Sequence, residues 1–295
     1  MRNFSRALAV AAAASLTLTA GALAQQAAYA IGGGGSTLVS FNTNNPGAAA
    51  TVGNFTLNGT ATFLDALDFR PQTGQVYGYL SSANAYYTVN LATGALTLAS
   101  ANPTGAPTNT FQLGMDFNPT IDRLRVVTDS GQNIVFNPNA GTAAAFTTLA
   151  YALGDTNENT SPMIIDNAYT NSLFGAATTQ QYGIDYGIGA LVTIANNAGT
   201  LGTVGALGVS TSIYSGFDIF TVGGTNTAYA LLSPTGGAQG FYTINLATGA
   251  ATLVGATSAA AGGQLYSLAI VPTPGVAAGL LAPLAVLGLR RRRSV

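Results

Sequence analysis

The chain has 295 residues, 48% of them hydrophobic, with 37 glycines and only 6% charged residues. An ordinary soluble domain carries about a quarter charged residues, so this surface must be built from Asn, Thr, Ser, Gln and Gly. Neither Cys nor His nor Lys occurs, which excludes disulfides, thiolate metal sites, Schiff bases and hydrolase mechanisms that need an imidazole base.

The charges are segregated. Arg2 and Arg6 lie at the start and Arg290, Arg291, Arg292 and Arg293 at the end. Only Arg70, Arg123 and Arg125 remain between them, against all ten acidic residues, a net charge of −7 for the middle. Nucleic-acid binding needs a basic stripe, so no nucleic-acid partner is expected.

The first element reads Met1-Arg-Asn-Phe-Ser-Arg6, an apolar run from Ala7 to Ala20, then Gly21-Ala-Leu-Ala24. A basic start, a short apolar stretch and a small-x-small end predict a signal peptide over residues 1–24, and hence export by the Sec machinery. A second small-x-small triplet, Ala28-Tyr29-Ala30, is an alternative cleavage site. Residues 25–35 read as a Gly-rich linker.

A repeat occupies residues 36–271. Tyr87-Thr-Val-Asn-Leu-Ala-Thr-Gly-Ala-Leu-Thr-Leu98 recurs as Tyr242-Thr-Ile-Asn-Leu-Ala-Thr-Gly-Ala-Ala-Thr-Leu253. Each copy is an alternating strand, a turn closed by Gly94 or Gly249, and a second strand. Before each hairpin stands a strand opener: Leu67-Asp68-Phe69, Met115-Asp116-Phe117 and Phe217-Asp218-Ile219, with Asn167-Ala168-Tyr169 and Ser267-Leu268-Ala269 in the same slot. Their central positions, 68, 116, 168, 218 and 268, are 48, 52, 50 and 50 residues apart. Five near-equal units of four short strands predict an all-β, five-bladed β-propeller-like repeat. The last unit keeps only its first strand, Leu265–Val271, and its hairpin appears at the other end, as Leu38–Asn42 and Ala50–Phe55. N- and C-terminal strands sharing one blade would close the ring. A β-sandwich or β-solenoid is the alternative.

Three groups of residues invite chemistry. Asp68, Asp116 and Asp218 fall on equivalent inner strands, where paired carboxylates could serve glycoside hydrolysis in the channel; repeated Asp residues equally suit hydrogen bonds to the next blade's backbone. Asp155, Asn157, Asn159 and Asp166 stand at positions 1, 3, 5 and 12 of a calcium-type loop. Thr160 replaces the loop's Gly, and position 12 is not Glu, so an Asx-rich connection is the competing reading. Arg123 and Arg125 share one strand face, placed to pair with Asp122 or Asp129 or to hold an anion. No cofactor is expected, with calcium the exception left open.

The final element, residues 272–295, follows Val271-Pro-Thr-Pro-Gly275. Its fifteen uncharged residues Gly275–Leu289 would span about 22 Å as a helix, short of a roughly 30 Å hydrocarbon core. Pro283 would kink it, and the arginines would stay cytoplasmic. That predicts a transient transmembrane segment in the inner membrane.

The tail resembles the PEP-CTERM sorting signal of Gram-negative bacteria: a Val-Pro-x-Pro start, a short apolar helix and a terminal Arg run, with Thr273 where the usual motif has Glu. The resemblance implies an exosortase-type processing enzyme as partner and delivery to the cell surface or an exopolysaccharide matrix. An ordinary C-terminal anchor is the alternative. The middle resembles an uncharacterised family of bacterial secreted proteins, a domain of unknown function. The matching residues are Asp68–Pro71, Asp116–Pro119, Arg123–Val127 and the Leu-Ala-Thr-Gly-Ala hairpins. That resemblance implies a propeller-like fold and no activity. The expectation is therefore an exported, non-enzymatic cell-surface or matrix protein that binds polysaccharide or protein. The alternatives are a carboxylate-dependent carbohydrate-active enzyme and a calcium-stabilised adhesin.

Overall fold

The computed structural model describes residues 25–108, 112–258 and 263–273. The expected signal peptide and nearly all of the expected membrane tail, residues 1–24 and 274–295, lie outside them. Among the described residues no helix is long and apolar enough to cross a membrane.

Five sheets, antiparallel through their four main strands and joined in blades 1 and 3 by a short parallel outer strand, form five blades of a β-propeller. Blade 1 runs outward through Ala66–Arg70, Gln75–Leu80, Ala85–Val89 and Ala95–Ala101. Blade 2 comprises Leu113–Asn118, Arg123–Thr128, Asn133–Asn137 and Thr142–Ala145, and blade 3 comprises Ile164–Tyr169, Gln181–Asp185, Ala190–Ile194 and Thr200–Ala206. Blade 4 holds Gly216–Val222, Thr225–Leu232, Gly240–Ile244 and Ala251–Ala256.

Blade 5 is composite and closes the ring. Its innermost strand is the C-terminal Tyr266–Val271, followed by Ala27–Gly32, Thr37–Asn42 and Asn45–Asn54. The stretch read as a linker over 25–35 thus contains a strand. Ala27–Gly32 pairs on one side with Thr37–Asn42 and on the other with Tyr266–Val271. Its small side chains hid it: Ala28 and Ala30 are fully buried in the apolar cluster between blades 4 and 5.

The inner strands are covered on both faces, so Leu113–Asn118 and Ile164–Tyr169 have no exposed position. The outer strands, such as Ala95–Ala101, are mostly solvated. Apolar residues gather in five clusters, one between each pair of adjacent blades. Across the seam of blades 1 and 2, Tyr86 stacks on Phe136 with centroids 3.8 Å apart. Across that of blades 4 and 5, Phe41 meets Phe241 edge-on at 5.1 Å. Such pairs add about 0.5–1.5 kcal/mol each beyond area burial.

The repeated hairpin has a definite mechanism. Asn90 and Asn245 each accept, through the side chain, the amide two residues on, and through the backbone, the amides of Gly94 and Gly249. Both glycines sit at φ +79. A Cβ at Gly249 would lie 2.2 Å from the Gly205 carbonyl, and one at Gly94 2.7 Å from that of Asn54. The turn therefore packs against the outer strand of the preceding blade, which only Gly permits there.

Candidate functional site

Asp68, Asp116 and Asp218 come from three different blades and meet inside the ring. One carboxylate oxygen of each lies within 4.8 Å of those of the other two. All three are buried, at 3%, 6% and 6% exposure. Each also reaches sideways into the next blade. Asp68 accepts the Phe117 amide at 2.8 Å and Asp218 the Ile270 amide at 2.5 Å, while Asp116 accepts that of Tyr169.

These bonds fix the true register of the repeat. The residue before each donated amide marks the slot, giving Asp116, Ala168 and, in blade 5, Ala269 rather than Leu268. The displacement comes from Ser267, whose φ of +49 accompanies a register shift between Ala30 and Ile31. The inner ring thus reads Asp, Asp, Ala, Asp, Ala.

Three carboxylates this close cannot all carry charge without a compensating partner. Burial is the main cause pushing Asp68 and Asp116 well above the usual range, with Asp218 adding repulsion to Asp68, and Asp68 and Asp218 to Asp116. Burial raises Asp218 to about 7. Neither buried arginine bonds to them. Arg70 spans blades 1 and 2 to form an ion pair with Asp122, and Arg125 is held by the neutral oxygens of Tyr169, Asn133 and Asn197. Arg123 donates to the Ile121 and Asp122 carbonyls. No anion is needed to satisfy any of them.

The cavity around the three acids measures about 10 Å³ and is bounded by Phe69, Phe117, Phe220 and Ile270. A cavity of that size holds at most one water. The chemistry open to the cluster is to share protons or to offer hard oxygen ligands to a small cation.

The other proposed oxygen set is dispersed. Asp155 accepts from the Thr203 amide and hydroxyl and from the Asn157 amide, and the Asn157 side chain donates to Thr203. These bonds make the segment an Asx-rich connection. Asp166 lies on the inner strand of blade 3, where it accepts from the Ser215 hydroxyl of the segment entering blade 4. Burial raises Asp166 to about 7. Among the described residues the acidic group with metal-ligand spacing is Asp68, Asp116 and Asp218, and it includes none of the loop residues. Asp166 was legible as an inner-ring residue from its position two before Ala168, on the same strand face.

Residues 37–269 match the family described as "Domain of unknown function (DUF4394)". No curated protein matches the chain in sequence. Among solved structures, a chain from a crystal structure of a nidogen/laminin complex is similar at 12% identity and a TM-score of 0.50, covering 84% of this chain and 98% of its own. TolB from Acinetobacter baumannii is similar at 11% identity and a TM-score of 0.48, over 84% of this chain and 67% of its own. The first likeness speaks to the fold alone.

Proposed function

Because the chain belongs to the DUF4394 family, whose description fixes no activity, we propose from its own residues that it is an exported, non-enzymatic surface or matrix propeller that binds polysaccharide or protein. One observation carries the non-enzymatic part: the three convergent carboxylates are bonded to backbone amides around a cavity of about 10 Å³. One oxygen of each lies within 4.8 Å of the others, no farther apart than the roughly 5 Å of a retaining glycosidase pair, so the reading rests on access and not on distance. No sugar ring reaches them. The polar, weakly charged surface and the expected signals at both ends support the extracellular placement.

A glycan array and a pull-down with the purified chain, scored beside a released-sugar assay, test this reading. Binding without turnover is expected. Sugar release that disappears in Asp68→Asn would overturn it.

A second reading, a calcium-stabilised form, draws on the spacing of the same three oxygens. A divalent cation would neutralise their charge once they ionise. It predicts that calcium raises the melting temperature of a chelator-treated sample at about pH 8 and leaves it unmoved at about pH 5. Equal melting curves at both pH values would remove it.

A further inference from the structure

A second cavity, of about 250 Å³, opens at the opposite end of the inner strands. The carboxylate cavity is lined by residues from the middle and ends of those strands, whereas this one is lined mainly by residues at or just before their starts, joined by Gly34 and Ser81 from two short 3-10 turns. Blade 1 contributes Asp65 and Ser81, blade 2 Gln112, the entry to blade 4 Tyr214, and blade 5 Tyr266. It is thus the mouth of the propeller axis, built by four of the five units.

Its chemistry is specific. Tyr214 and Tyr266 present rings with centroids 6.2 Å apart at 56°. The Tyr266 hydroxyl is occupied by the Leu64 carbonyl at 3.1 Å, which fixes that ring. Tyr214 is 37% exposed. Phe63, 55% exposed, approaches the same Gly35 backbone as the Tyr266 hydroxyl. Asp65 uses one carboxylate oxygen to accept the Ser81 amide at 2.6 Å, and its Oδ1 makes no hydrogen bond among the described residues. Among the described residues no arginine lines the cavity.

Aromatic faces beside a carboxylate and a hydroxyl, with no cation among the described lining residues, match a ligand that is uncharged, rich in hydroxyl groups and apolar on its C–H faces. Hydroxyls donated to a carboxylate make charge-assisted bonds, and tyrosine rings offer flat amphipathic contact at low entropy cost. An anionic sugar would meet Asp65 unpaired. We propose that this mouth is a binding site for a neutral sugar unit of a polysaccharide, with Tyr214 as stacking platform and Asp65 as hydroxyl acceptor. It rests on the polysaccharide branch of the proposed function and gives it an address.

The test is titration of the purified chain with neutral glucose, galactose, mannose and N-acetylglucosamine oligomers, with uronic-acid oligomers and choline as charged controls. Wild type, Tyr214→Ala and Asp65→Asn are compared, each checked by melting temperature. A neutral oligomer whose affinity drops at least tenfold in both variants, at unchanged melting temperature, is the expected result. Neutral-glycan binding that neither variant weakens leaves the polysaccharide reading intact and overturns the site. Binding only of uronic acids or choline overturns the ligand class. Silence towards every oligomer, beside a protein captured in the pull-down, overturns the sugar site while the protein-binding branch stands.

Discussion

The carboxylate of Asp68 accepts the amide of Phe117, the residue beside Asp116, at 2.8 Å. One inner-strand acid thus holds the backbone that carries the next. The same reach, repeated from Asp116 to Tyr169 and from Asp218 to Ile270, ties three of the five seams near the axis. The carboxylates converge as a consequence of stapling, and their burial is what raises their proton affinity.

Asp68→Asn and Asp68→Ala should therefore diverge. Asn keeps an acceptor for the Phe117 amide and removes a repelling charge, so stability at about pH 8 should hold or rise. Ala leaves the buried amide without a partner, at a cost of about 1–3 kcal/mol. Denaturant melts of both variants check the difference; equal losses would refute the staple.

Melting temperature should depend on pH in the direction opposite to ordinary salt-bridged acids. Burial raises Asp218 and Asp166 to about 7 and lifts Asp68 and Asp116 well above the usual range. Their folded-state affinity for protons exceeds that of the unfolded chain. Their stabilisation is therefore fully present below the unfolded carboxylate value near 4 and is lost as pH rises from there through about 7. Calcium-free samples at about pH 5 should melt on the order of 5 °C above samples at about pH 8. A flat or rising profile over that range would contradict the burial argument.

The Arg70–Asp122 pair should behave as a buried seam contact. Asp122 sits at φ +52, where Asn is tolerated, so Asp122→Asn removes charge without new backbone strain. A loss of about 3–5 kcal/mol is expected, because the Arg70 charge stays buried. In an Arg70→Met background the same change should cost far less. Additive losses across that double-mutant cycle would show that the two residues act independently.

Export by the proposed route has a structural consequence for its cleavage site. Cleavage after Ala24 leaves the Ala27–Gly32 strand whole, whereas cleavage after Ala30 removes four of its six residues and exposes both neighbouring strands. Mass spectrometry of the mature chain should find Gln25 first. A chain started at Ile31 should fail to fold, and a native-like melt from it would contradict the three-plus-one closure of blade 5.

The repeat was legible because two independent patterns agree: strand openers about 50 residues apart, three of them bearing Asp, and an Asn-Leu-Ala-Thr-Gly hairpin that returns after 155 residues, about three such periods. Convergence of Asp68, Asp116 and Asp218 followed from their shared slot. What the pattern could not carry was depth. Ala27–Gly32 has the small residues of a linker, and it is a strand through its pairing with Thr37–Asn42 and Tyr266–Val271 and its burial in one cluster with Phe41 and Leu231. Asp155 looks like a loop ligand in one dimension, but its oxygens accept from Thr203, far along the chain, while Asp166 accepts from Ser215. The single-residue slip at Ser267 is a backbone event without a composition signal. The axial mouth joins Asp65, Gln112, Tyr214 and Tyr266 from four units, and no spacing within one unit announces it.

Replacing all three axial acids at once, Asp68→Asn, Asp116→Asn and Asp218→Asn, separates a structural ring from a working site in one preparation. Melting temperature at about pH 8 and the binding profile on the glycan array and in the pull-down are read side by side. The triple variant should melt at or above wild type and keep every partner. A folded triple variant that loses its partners, or a released-sugar activity that wild type alone possesses, would place the function in the carboxylates after all.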